Sequence, residues 1–254
     1  MKVGGKILTF DQDIAKIFLK FYIKVSNFRP RRQIRKREIN SLRVNQKWDR
    51  LFSAPFSDEE LQRALQKLSS EKSAGPNGIL PEFILELGSK AKQTILLLIN
   101  KTWGVSFPSY WRKAVVLPIL KPKKDPTGIQ SFRPISLTCI LSKLPERMVV
   151  DRLQYYLDRS GHISEKQAGF RRSYNTIQQI ARLTQHIKDG FQKKQSTLAV
   201  FVDFKSAFDK VWRKMLLKKL LHMNVSSHLF KWISDFLSQC FFNIKYGNSH
   251  SRYG

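Results

Sequence analysis

The sequence predicts an α+β chain rich in helix. Three observations carry this: apolar residues recur at helical spacing along most of the 254 residues, two short runs (AVVLPIL and LAVFVDF) have strand composition, and 42% hydrophobic content is enough for a real core.

The elements follow in order. Ile14, Ile17, Phe18, Phe21, Tyr22 and Val25 form one apolar stripe, with Thr9 and Gln12 spaced as a capping box. Residues 29–50 hold nine Lys/Arg against two acids and read as a basic linker or arm. Ser57 and Glu60 form a second capping box ahead of Leu61, Ala64, Leu65 and Leu68, and SAGPNG at 73–78 supplies turn chemistry. Helical patterns continue over 80–88 and 91–104. AVVLPIL at 114–120 is a strand that Pro118 pushes toward an edge or bulge. After the basic loop KPKKDPTG, apolar positions 141, 144, 148, 149, 153, 156 and 157 predict a long helix. It is bent at Pro145, where an interior proline costs about 3 kcal/mol. A further helix carries Ile177, Ile180, Ala181, Ile187 and Phe191. LAVFVDF, at 198–204, predicts a strand buried on both faces. Helices over 208–222 and 228–239 follow, and CFFNIKYG reads as a closing strand.

Charge narrows the partner. Lys and Arg number 46 against 19 Asp and Glu, a formal +27 with pI near 10.3, which implies a polyanion: nucleic acid first, an anionic membrane surface second. No stretch approaches the roughly 18 apolar residues of a membrane span, and MKVGGKILTF lacks a secretory pattern, so an intracellular protein of nucleus or cytoplasm is expected. Cys139 and Cys240 lie far apart, and the five histidines form no metal-ligand pair.

Asp203 closes the most strand-like run of a basic chain. A buried strand that delivers a carboxylate at its C-terminal end is a common way to hold a catalytic acid rigidly beside solvent. The plainer reading is that Asp203 opens a turn and Asp209 caps the next helix.

FVDFKSAFDKVW resembles the box that carries the first palm aspartate in reverse transcriptases of non-LTR (LINE-type, jockey-like) retrotransposons. The neighbouring boxes come in that family's order. SAGPNGILPEF is similar to its Pro-Gly-Pro-Asp-Gly-Ile segment, and AVVLPILKPKKDPTGIQSFRPISLT to its Ile-Pro-Lys loop and Tyr-Arg-Pro-Ile-Ser-Leu box. QAGFRRSYNTIQQI is similar to its Gln-x-Gly-Phe-Arg box. Several boxes in order, over roughly residues 57–254, are far more specific than any one of them.

The resemblance implies a right-hand polymerase fold, helix-rich fingers followed by an incomplete palm. It also implies dNTP addition to a DNA primer 3′-hydroxyl on an RNA template, with two Mg²⁺ ions about 4 Å apart. Asp203 would be the catalytic carboxylate and metal ligand, and Phe204 would offer its backbone carbonyl to the second ion. Phe208 matches the aromatic gate under the sugar, and it could equally be a core aromatic. Lys121 and Arg133 match fingers residues that hold the triphosphate. Arg171 and Arg172 match template contacts, or are surface charges. Lys123 and Lys124 read as a solvated loop.

One part of the family pattern is missing. After Asp209 the sole acid is Asp235, so the adjacent Asp-Asp pair and the Gln-Gly box are absent from these residues. The expectation is therefore an N-terminal piece of the enzyme that binds metal weakly and is inactive by itself. Its divisions are 1–50 (helix and basic arm), 51–113 (helical extension of the fingers) and 114–254 (fingers and partial palm). Two other readings stay open: a non-catalytic basic module that binds nucleic acid, and a fragment that does not fold stably because its sheet edge is exposed.

Overall fold

The computed structural model describes residues 1–3, 6–26, 46–204 and 206–254. Two compact units emerge, one of residues 1–150 with 208–254 and one of residues 151–207.

The larger unit opens with the short antiparallel pair β1 (Lys2–Val3) and β2 (Lys6–Ile7), then α1 (Asp11–Ser26) and α2 (Gln46–Ser53). Next come α3 (Asp58–Gln66), α4 (Pro81–Leu85), α5 (Ser89–Thr102), β3 (Lys113–Leu120), β4 (Phe132–Thr138) and α6 (Ile140–Arg159). After α7 (Thr176–Gln192) of the smaller unit, the larger one resumes with α8 (Arg213–His222), α9 (Ser227–Phe236), β5 (Phe241–Tyr246) and β6 (Ser249–His250).

A four-stranded sheet in the order β4-β3-β5-β6 forms the frame, with β3 antiparallel to β4 and parallel to β5. The stripe read from α1 packs on this sheet. Phe18, Ile14 and Tyr22 join Val116 of β3, Phe132 of β4 and Ile244 of β5 in one core, and the Phe18 ring meets Phe132 edge-on at 5.0 Å. Alternation explains the choice of face, because Val116 and Phe132 point to α1 while Ile119 and Ile135 lie on the opposite, open face.

Pro118 faces Pro134 in the β3–β4 ladder. Lys121 donates its N–H to Ser131 opposite it, at 2.8 Å, so alternation makes the proline pair a non-hydrogen-bonded one. Neither missing N–H is then required by the partner strand. The pairing of β5 with β3 stops at Val116, so Pro118 also stands clear of that neighbour. The expected edge strand is thus an inner strand whose proline-bearing end is open on one side.

A second, helical core joins α2 to α9. Phe56 and Trp103 pack with their rings tilted by 57° and centroids 4.5 Å apart, and the Asn100 side chain both accepts from the Phe56 N–H (2.7 Å) and donates to its carbonyl (3.0 Å). Ser57 and Glu60 form the capping box that starts α3, as their spacing predicts. Arg112 donates to the carbonyls of Phe107, Asp235 and Ser238, which supplies partners for the carbonyl end of α9.

The smaller unit holds the C-terminal part of α6 and all of α7, which begins with a capping box of Asn175 and Gln178. Along α7 only Gly190 is buried, and Ile177 and Phe191 stand exposed.

The structure corrects four expectations. Residues 198–204 form no strand, and Leu198, Phe201 and Phe204 are 89%, 84% and 76% exposed where two-sided burial was predicted. A strand exists only with a ladder partner, and composition cannot supply one. Gln46–Ser53 is helical, although its first five residues lie in the 29–50 stretch read as a linker, whose earlier part falls outside the described residues. Phe10, not Thr9, caps α1: its carbonyl takes the N–H of Ile14. The helix expected from 208 begins at Arg213 with Trp212 as its cap, so Asp209 does not cap it.

Candidate functional site

Lys121 and Arg133 are brought together by the β3–β4 hairpin. Arg133 is paired with Ile119, two residues before Lys121, so both cations lie on one face as diagonal neighbours, roughly 7 Å apart along the backbone. Arg133 is exposed, and the Lys121 ammonium donates to the Gln130 carbonyl at 2.7 Å. Between them the loop is internally braced. Asp125 accepts from the Thr127 N–H at 2.9 Å and from its hydroxyl, and these bonds hold its carboxyl below the usual carboxylate range. Two cations on one face can offer charge-assisted hydrogen bonds to an anion.

Residues 73–78 dock on the far end of the same hairpin. A β-carbon on Gly75 would overlap the Thr138 carbonyl, and the Asn77 amide donates to the Cys139 thiol at 3.2 Å. Pro76 and Asn77 make the turn, closed by Gly78 N–H to Gly75 carbonyl at 3.1 Å. Sequence reasoning found the turn but not its docking, since no local signal reports a contact across 62 residues.

In the smaller unit, Arg171 is committed to its own loop. It pairs with Asp158 at 3.0 Å, donates to the Ser164 and Gln167 carbonyls and stacks over Tyr174 at 4.5 Å. Arg172 beside it is exposed. Asp203 and Phe204 lie in the exposed stretch of that unit, and Phe208 is 78% exposed in the turn that opens the last part of the larger unit.

Residues 121–254, more than half of the sequence, match the family described as reverse transcriptase (RNA-dependent DNA polymerase). The chain belongs to the reverse transcriptase family. It is 33% identical over 198 residues to the probable RNA-directed DNA polymerase from transposon BS of Drosophila melanogaster, a match that covers 78% of this chain and 22% of that protein. It is 30% identical over 187 residues to the RNA-directed DNA polymerase from mobile element jockey of the same species, covering 73% and 20%. The jockey protein of Drosophila funebris is 31% identical over 183 residues. The chain therefore spans about a fifth of the length of the curated relatives it matches. These matches bear out the resemblance to non-LTR retrotransposon enzymes and the α+β reading.

Reverse transcriptases use divalent metal ions. Among the described residues of this reverse transcriptase chain, no three His, Cys, Asp or Glu side chains gather as ligands. A two-ion site needs several carboxylates to neutralise and space its cations, so these residues do not form one by themselves. No helix among the described residues is long and apolar enough to cross a membrane.

Proposed function

We propose that this chain is part of an RNA-directed DNA polymerase of a retrotransposon and binds the incoming dNTP through the β3–β4 hairpin. The observation that carries this is the shared face of Lys121 and Arg133, inside the segment that matches the family. Two neighbouring cations offset the negative charge of a triphosphate, and the guanidinium adds a planar fork for two phosphate oxygens. Phe208 is proposed to lie under the sugar and Arg172 to meet the template backbone. Arg171 would shape the loop that carries Arg172. Asp203 is the carboxylate proposed for catalysis, with Mg²⁺ as the ion that it and the Phe204 carbonyl would hold weakly. RNA template and DNA primer are the proposed partners.

A second reading has its own support. The charge of +27 fits a basic module that grips nucleic acid without catalysis.

The test is fluorescence titration of a labelled dNTP with the chain on an RNA–DNA primer–template, for the parent and for Lys121→Ala/Arg133→Ala. The expected result is at least a tenfold weaker dNTP affinity in the double variant. An affinity that does not move rejects the hairpin as the nucleotide site and leaves the binding module.

A further inference from the structure

A cavity of about 460 Å³ lies in the larger unit, lined by the C-terminal half of α1, by β3 and β4, and by residues at the start of α8 and around the end of α9. Its size is that of a small-molecule pocket. Tyr22, Trp111, Phe236 and Phe241 give it an aromatic lining, while β3 and β4 contribute the small side chains Ala114 and Ser136. Polar and charged groups also line it, among them Glu146, Asp209, Arg112, Lys113, Arg213 and Cys240.

One group in this cavity lacks the partner that burial demands. The Tyr22 hydroxyl is buried and makes no hydrogen bond, a state that costs free energy unless something supplies an acceptor. Burial, with the nearby Asp209 carboxylate, pushes its pKa well up, so it stays a neutral O–H donor. Glu146 is half-buried; desolvation pushes its carboxyl above the usual range, and it accepts from the Ser142 hydroxyl at 2.9 Å. Asp209, freed from the capping role its sequence position suggested, is an acceptor on the same lining.

These features define a ligand. Aromatic walls favour a flat ring, Tyr22 needs an acceptor on that ring, and the exposed Asp209 carboxylate can accept from a donor beside it. A nitrogen heterocycle with an exocyclic amino group carries both at one edge. We propose that this cavity is a binding site for an amino-substituted heteroaromatic ring of nucleoside size, separate from the Lys121 and Arg133 pair and needing no phosphate.

Cys240 makes the site testable without reference to activity, because it lines the cavity and is exposed, whereas Cys139 is buried. The experiment follows alkylation of Cys240 by N-ethylmaleimide in the whole chain, read by peptide mass spectrometry, while adenosine is titrated. Adenosine is expected to slow Cys240 alkylation several-fold at saturation. Inosine, which presents a carbonyl in place of the amino group, is expected to protect at least about tenfold less well, the factor that a lost hydrogen bond to a charged group produces. Tyr22→Phe should raise the half-protecting adenosine concentration by a similar factor. An alkylation rate indifferent to adenosine overturns the proposal. So does equal protection by adenosine and inosine, or protection unchanged in Tyr22→Phe. Should that variant fail to fold, the comparison of the two nucleosides on the parent chain decides alone.

Discussion

Gly75 lies so close to Thr138 that a β-carbon at residue 75 would collide with the Thr138 carbonyl group and stand 2.8 Å from the Cys139 amide nitrogen. The obstacle is backbone, which cannot swing aside as a side chain can. Gly75→Ala should therefore destabilise the chain by about 1–3 kcal/mol, the range seen when well-packed sites are overfilled. Gly88→Ala, where the added carbon meets nothing within 4 Å, serves as the control. Thermal unfolding of both variants checks this, and an equal effect on both would contradict the close approach.

Ser57 accepts the Glu60 N–H while the Glu60 carboxylate accepts the Ser57 N–H. Ser57→Ala should cost about 1 kcal/mol. Asn175→Ala, which removes the corresponding box from α7, should cost about the same. Far-UV circular dichroism during urea titration would register both losses.

Arg171 and Arg172 should separate sharply. Arg171 holds Asp158, two backbone carbonyls and the face of Tyr174, so Arg171→Ala should cost about 1–3 kcal/mol. Arg172→Ala should leave stability within about 0.5 kcal/mol and instead lower the slope of log affinity against log salt for nucleic acid. Denaturation and salt-dependent binding measured on the two variants would expose a reversal.

Glu146 predicts a pH dependence of definite sign. Burial is the main cause of its raised pKa, opposed by Ser142, Lys143 and Arg147; Cys240, which carries a raised pKa of its own, feels the same carboxylate. The folded chain therefore keeps a proton that the unfolded chain has released above about pH 4.3. Stability from this group is greatest on the acid side of that value and falls as pH climbs through the raised pKa. Glu146→Gln should flatten the decline, so melting temperatures of parent and variant should diverge toward neutral pH. Parallel curves would remove Glu146 as the cause.

The Tyr22 hydroxyl, buried without a partner, should be dispensable for folding. Tyr22→Phe is expected to be neutral or to stabilise by up to about 1 kcal/mol, because it removes an unmet polar group while keeping the ring against Phe18. A loss greater than 1 kcal/mol in chemical denaturation would mean that the hydroxyl has a partner.

What the sequence made legible was local or redundant. The boxes at Ser57 and Asn175 need only residues three apart, and the stripe of α1 needs only its own period. The family was legible because several boxes recur in order. LAVFVDF failed as a strand because its composition states a preference that only a ladder partner can satisfy, and 198–204 has none among the described residues. Asp203 was legible as the carboxylate that closes an apolar run, whereas its exposed setting was not. The contacts of Gly75 with Thr138 and of Arg112 with Ser238 bridge 63 and 126 residues, and no periodicity reports such distances. The cavity was hidden for the same reason, since its lining comes from stretches of chain far apart in sequence.

The two facing prolines act as a thread lock for the hairpin. Were β4 to shift by a single residue against β3, one of the imide nitrogens would land where its neighbour needs a donor, and a rung would be lost. The same shift would turn Arg133 to the reverse side from Lys121, splitting the cation pair. Two residues that donate nothing thereby guard the alignment on which the pair depends.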